Sequence, residues 1–103
     1  MAILAIFHGK GITKAMYDAL RPEVNWEQNH PAGALFHACA FDDKGDLHVA
    51  DVWESPDAMK QFVESRLVPV MQKLKIPPPA VDVYPLHNMN VYPVADPYRL
   101  GKK

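Results

Sequence analysis

The chain has almost no cysteine: Cys39 is the only one among 103 residues. One thiol closes no internal disulfide and cannot build a cysteine-based zinc site, which favours a reducing compartment and a fold held by packing alone. Charge of one sign is missing as well. The 11 Lys and Arg stand against 12 Asp and Glu, for a formal net charge of -1 and a pI near 6.5. Apart from a short Lys102-Lys103 end the basic residues are scattered, so neither nucleic acid nor an anionic membrane is indicated as a partner. Long apolar runs are absent too; none approaches the roughly 20 residues that cross a bilayer. The opening Met1 to Phe7 is apolar, but it lacks a basic lead and is cut short by His8-Gly9-Lys10-Gly11, so it reads as a buried strand rather than a signal. A single soluble, cytoplasmic domain is expected.

What the chain does contain is apolar residues, 49 % of the total, and 10 prolines that punctuate them. Thr13 is placed to cap a helix carrying Met16, Tyr17 and Leu20 on one face, which Pro22 should end or restart. Glu23 to Gly33, with Trp26, reads as a helix tail and loop. Ser55-Pro56-Asp57 is a helix start: a capping serine, a proline at the first position and an acid at the positive end of the dipole. Met59, Phe62, Val63, Arg66 and Leu67 follow at helical spacing. Val70, Met71 and Leu74 resume it beyond Pro69, where a kink or restart is expected. Pro77-Pro78-Pro79 then imposes an extended connection. A last strand from Val81 can run through His87 and Asn88 to Val91, and its prolines suit an edge. The domain therefore spans 1–91, with a proline-containing tail over 92–103 whose aromatics could lie along a partner subunit.

The most informative segment is a hairpin. Leu35 to Phe41 and Leu47 to Trp53 both read as strands, and Gly45 supplies the positive φ of a type I turn with a G1 bulge. Pairing Asp42 with Asp46 sets Phe41 beside Leu47, Cys39 beside Val49, His37 beside Asp51 and Leu35 beside Trp53. Opposed Cβ atoms lie about 4.5–5.5 Å apart, so imidazole and carboxylate can meet. A carboxylate that accepts an imidazole N–H fixes the ring tautomer and raises its basicity, which equips a general base; the same pair can equally be structural. The other face, with Phe36, Ala38, Ala40, Ala50 and Val52, is apolar as well, so both faces are expected to be covered. His8 and His48 at strand ends, and His30 in a loop, read as solvated.

The element order is strand, helix, strand, strand, helix, strand, which is the α+β, ferredoxin-like βαββαβ pattern with a four-stranded antiparallel sheet. With Met1 to Phe7 leading into Gly9-Lys10-Gly11-Ile12-Thr13, with Leu35-Phe36-His37, with Asp51-Val52-Trp53-Glu54-Ser55 and with Tyr84-Pro85-Leu86-His87-Asn88, the chain resembles the dimeric α+β barrel superfamily. Within it, the likeness is to the short antibiotic-biosynthesis-monooxygenase-like proteins. The resemblance implies a homodimer in which two sheets pack face to face, each subunit holding a small-molecule pocket between sheet and helices.

Branches of the superfamily can be weighed by residue. The haem-degrading branch looks for an asparagine on strand one and a tryptophan and a histidine on helix two; this chain has no asparagine there, and Phe62 and roughly Gln72 at the helix positions. The cyclase branch looks for a histidine on or just after helix two, and none lies between Trp53 and Leu86. What remains is His37 and Asp51 as a catalytic pair, with His87 and Asn88 placed to hold a substrate oxygen and Trp53, Tyr17 and Phe62 as pocket lining. Trp53, Tyr17 and Phe62 also fit simple core packing. A metal site of His37, Asp51 and His87 would need strands two and four together, and this topology puts them at opposite edges, so no metal is expected. Three classes stay open: a cofactor-independent monooxygenase or isomerase acting on a small aromatic or quinone-like compound, a non-catalytic binder of such a compound, and a dimeric stress or interaction protein.

Overall fold

The structure, a computed structural model, describes residues 1–100; the Lys102-Lys103 end lies outside the described residues. Strand β1 (Ile3–Gly9) leads into helix α1 (Lys14–Val24), followed by β2 (Ala34–Phe41) and β3 (Leu47–Trp53). Helix α2 (Pro56–Phe62) passes through a π-helical turn (Val63–Leu67) into α3 (Val68–Lys73), and β4 (Ala80–Pro85) completes a single sheet in the order β2-β3-β1-β4. All three pairings are antiparallel. This is the ferredoxin-like α+β fold, with β2 and β4 at opposite edges. Among the described residues no helix is long and apolar enough to cross a membrane.

Helix starts follow the chemistry of the sequence. The Thr13 side chain accepts from Met16 N–H at 3.2 Å, and the Ser55 hydroxyl from Ala58 N–H at 3.1 Å. Pro22, however, neither ends nor restarts α1. It lies within the helix, which stops at Asn25 in the left-handed conformation with its N–H bonded to the Arg21 carbonyl. Only one helical hydrogen bond is lost to the proline that near the end, and Leu20 and Val24 on either side of it are both buried. At Pro69 the helix does restart. Val68 N–H reaches back five residues to Val63, a wide turn, and Pro69 then occupies the first turn of α3, where its missing donor costs nothing.

Alternation and register put Ile3, Ala5 and Phe7, then Leu47, Val49, Asp51 and Trp53, then His37, Cys39 and Phe41 on one face of the sheet. The helices cover this face: Ile12, Leu20, Val24, Met71 and Ile76 pack with Leu47 and Val49 into the core. The second face carries Leu4, Ile6, Phe36, Ala38, Ala50, Val52 and Tyr84, and within one chain it is not covered as expected. Phe36 is 41 % and Tyr84 53 % exposed; Val52 is buried because larger neighbours, Leu4 and Phe36, stand opposite it on both flanking strands.

Two boundaries differ from the sequence expectation. Leu35 is a bulged residue, and Trp53 pairs with Ala34 instead. The chain enters β2 from Gly33 at φ +81, where Glu54 N–H donates to the Gly33 carbonyl, and this anchor admits one extra residue before regular pairing begins. Strand β4 ends at Pro85, short of Val91. Leu86 N–H donates to Ala2 at the very start of the chain, so His87 to Val91 have no further backbone of β1 to pair with. The tail forms a 3-10 helix over Pro93–Tyr98 with exposed apolar side chains.

Candidate active site

The hairpin register delivers the central pair as the turn chemistry requires. Asp42 N–H donates to Asp46, Gly45 N–H donates to Asp42, and Gly45 sits at φ +83; His37 then pairs with Asp51. His37 Nδ1 lies 2.6 Å from Asp51 Oδ1. The carboxylate only accepts, so Nδ1 carries the proton and the Nε2 lone pair is free to accept. It does so from the Tyr17 hydroxyl of α1, at 2.7 Å. The second carboxylate oxygen of Asp51 accepts from the Trp53 indole N–H at 3.3 Å. Four side chains from β2, β3 and α1 thus form one chain of hydrogen bonds on the helix-covered side of the sheet, with a carboxylate side chain only 12 % exposed at its base.

Aromatic rings flank this chain, and the His37 side chain remains 35 % exposed. Tyr17 is stacked parallel to His37 at 6.2 Å between centroids, Trp26 lies 5.6 Å from both Tyr17 and His37, and Phe41 meets Tyr17 edge-on at 6.0 Å. Behind Asp51, Trp53 packs on Phe62 at 5.4 Å. Burial, with the Cys39 thiol beside it, pushes the Tyr17 hydroxyl well above the ordinary tyrosine range, so it stays a neutral donor and acceptor. Burial likewise pushes the Cys39 thiol up and keeps it protonated rather than nucleophilic.

Of the residues singled out from sequence, the structure brings together His37, Asp51, Trp53, Tyr17 and Phe62. It does not bring His87 or Asn88 to them: both follow β4, across the sheet from β2, and are exposed. In the sequence Trp26 is only part of a helix tail and loop. Its proximity to His37 depends on the left-handed turn at Asn25, and a tryptophan directly after a helix was the available signal. The open-face histidines have partners of their own: His48 donates to Asp42 at 2.7 Å, His8 lies 3.4 Å from Asp82, and the two imidazoles meet edge-on at 5.7 Å. A shallow depression of about 570 Å³ beside His8 and His48, and one of about 500 Å³ along α2, lie away from His37. Among the described residues, no group of three or more His, Cys, Asp or Glu is arranged to hold a metal ion.

A ferredoxin-like α+β chain with a carboxylate-histidine-tyrosine relay between sheet and helices is the class that fold and site define. No family model matches the sequence, and no curated protein does. Solved structures match throughout the domain. The chain is similar to a conserved protein from Methanosarcina mazei Go1, with a TM-score of 0.62, 13 % identity and coverage of 82 % of this chain and 91 % of that one. It is similar to SnoaB, a cofactor-independent oxygenase from Streptomyces nogalater, at a TM-score of 0.59 and 12 % identity over 85 % of this chain and 93 % of the other. It is also similar to Rv0793 from Mycobacterium tuberculosis, at 0.58 and 18 % identity over 86 % and 97 %. What these likenesses share with the chain is the ferredoxin-like α+β fold.

Proposed function

We propose that this chain is a cofactor-independent monooxygenase that acts, as a homodimer, on a small aromatic or quinone-like compound, with His37 as its general base. The observation that carries the reading is the continuous relay from Asp51 through His37 Nε2 to the Tyr17 hydroxyl. A substrate proton is received on the Tyr17 oxygen as the hydroxyl proton passes to Nε2, and Asp51 holds the imidazolium so formed. The resulting carbanion gives its electron pair to dioxygen to form a C–O bond. Breaking the second C–H bond of the methylene supplies the other pair as the O–O bond breaks, so the carbon becomes a carbonyl and the departing oxygen takes that proton and the one held by the His37 relay to leave as water. Trp26, Trp53, Phe41 and Phe62 supply walls that limit access of water to the anion. The likeness in fold to SnoaB, itself a cofactor-independent oxygenase, supports this chemistry. His87 and Asn88 could join the site only from a partner subunit or by movement of the segment after β4.

The experiment is turnover of hydroxylated naphthalenes and anthrones under oxygen, in wild type and His37→Ala. Loss of turnover in the variant, with ligand-induced thermal stabilisation retained, supports the base; equal turnover in both refutes it. A second reading, a non-catalytic ligand binder, is favoured by one observation: the two depressions lie away from the imidazole. Binding of these compounds with no oxygen consumption in wild type would establish it.

A further inference from the structure

The π-helical turn presents one side chain whose contacts the relay does not account for. Arg66 Nη2 donates to three backbone carbonyls of the segment that carries Trp26: Val24 at 2.9 Å, Asn29 at 2.8 Å and, more weakly, Asn25 at 3.4 Å. These carbonyls are 37 to 42 residues away in sequence. The same guanidinium lies 5.2 Å from the centre of the Phe62 ring, one helical turn earlier. Followed outward, the contacts close on themselves: Arg66 to Phe62, Phe62 to Trp53, Trp53 to Asp51, Asp51 to His37, His37 to Trp26, and the Trp26 segment back to Arg66.

We propose that Arg66 is the positioning residue of the site, the clasp that seats Trp26 against the His37 imidazole and ties that cover to the Phe62 wall. This rests on the reading of His37 as the functional group, but not on any particular reaction. Elsewhere in the Trp26 segment Glu27 accepts two bonds from Arg21, Asn29 N–H donates to the Asn25 carbonyl, and the far end is held at Gly33, whose carbonyl accepts from Glu54 N–H. Arg66 is the tie that flanks Trp26 itself, bonding carbonyls on both sides of it. A guanidinium suits the task because its planar fork can reach several carbonyls while its face lies on an aromatic ring. The wide turn ahead of Pro69 matters because an added residue per turn re-aims the side chains of that turn relative to α2 and α3.

The test needs no substrate. In protein labelled with 5-fluorotryptophan, the two ¹⁹F resonances are assigned by Trp26→Phe and followed through an acid titration. In wild type the Trp26 resonance is expected away from the exposed-indole position and to move as His37 is protonated, a response that His37→Ala removes. In Arg66→Met it is expected at the exposed position with no pH response, and in Arg66→Lys in between, with far-UV circular dichroism unchanged. A Trp26 resonance in Arg66→Met with the wild-type position and response overturns the proposal. Where Arg66→Met does not fold, Arg66→Lys is the test, and a spectrum identical to wild type overturns it. Failure here leaves the turnover result for His37→Ala untouched, so the two readings fall separately.

Discussion

Asp51 is the residue on which the site turns. Its two oxygens accept from two different rings, His37 and Trp53, and its side chain is nearly enclosed. Asp51→Ala leaves both N–H donors without an acceptor in that place, an expected loss of about 1–3 kcal/mol, read as a lower urea midpoint at unchanged slope. Tyr17 predicts a pH dependence of stability. Its folded pKa is raised, so the stability linked to its buried hydroxyl is fully present below the unfolded value of about 10 and is lost as pH rises beyond it. Tyr17→Phe should therefore remove part of the alkaline fall in melting temperature while leaving the profile below neutrality unchanged. The His37–Asp51 pair was legible in sequence, because turn type and strand period fix which side chains face each other. Trp26 was not, since its approach to His37 depends on the direction a loop takes.

At the scale of elements, the β2–β3 hairpin holds the pair in register. Asp42 is its pivot: its carboxylate accepts from His48 and from the backbone N–H groups of Lys44 and Asp46. Those donors, the His48 bond first, hold its pKa below the usual carboxylate value. Stability from this group is present above the unfolded pKa and lost as pH falls through the lower folded one. Asp42→Ala should thus lower the melting temperature at neutral pH, and the difference from wild type should shrink in strong acid. Gly33, where β2 begins, is the second control. At φ +81, and with a Cβ that would lie 2.6 Å from that of Ala58, it admits no side chain; Gly33→Ala should cost about 1–3 kcal/mol by chemical denaturation. The helix caps at Thr13 and Ser55 were readable because they need only local geometry. The passage of α1 through Pro22 was not, because burial of Leu20 and Val24 outweighs a local preference. The bulge at Leu35 likewise answers to the bond from Glu54, distant in sequence, to the neighbouring Gly33.

For the whole molecule, the uncovered sheet face is the feature that a single chain does not explain. Phe36 and Tyr84 on that face, and Val91, Tyr92, Val94 and Tyr98 in the tail, are all exposed. A second copy related by a twofold axis could cover the face and receive the tail, which is the homodimer proposed above. Sedimentation equilibrium should then give twice the 11.6 kDa chain mass, and Phe36→Asp should return a monomer with intact secondary structure. A wild-type monomer at micromolar concentration would exclude the dimer.

The sequence by itself determined the order of elements, the ferredoxin-like sheet, both helix starts and the opposition of His37 to Asp51. Each follows from short-range rules: periodicity, caps, turn residues and the two-residue alternation of strands. Only the tertiary structure decided that the pair lies on the helix side, that Tyr17 completes the relay, and that Arg66 fastens the segment bearing Trp26. It also separated His87 and Asn88 from the site by ending β4 at Pro85. Those outcomes depend on where distant segments meet in space, and on the point at which a strand exhausts its partner, neither of which is written in any local pattern.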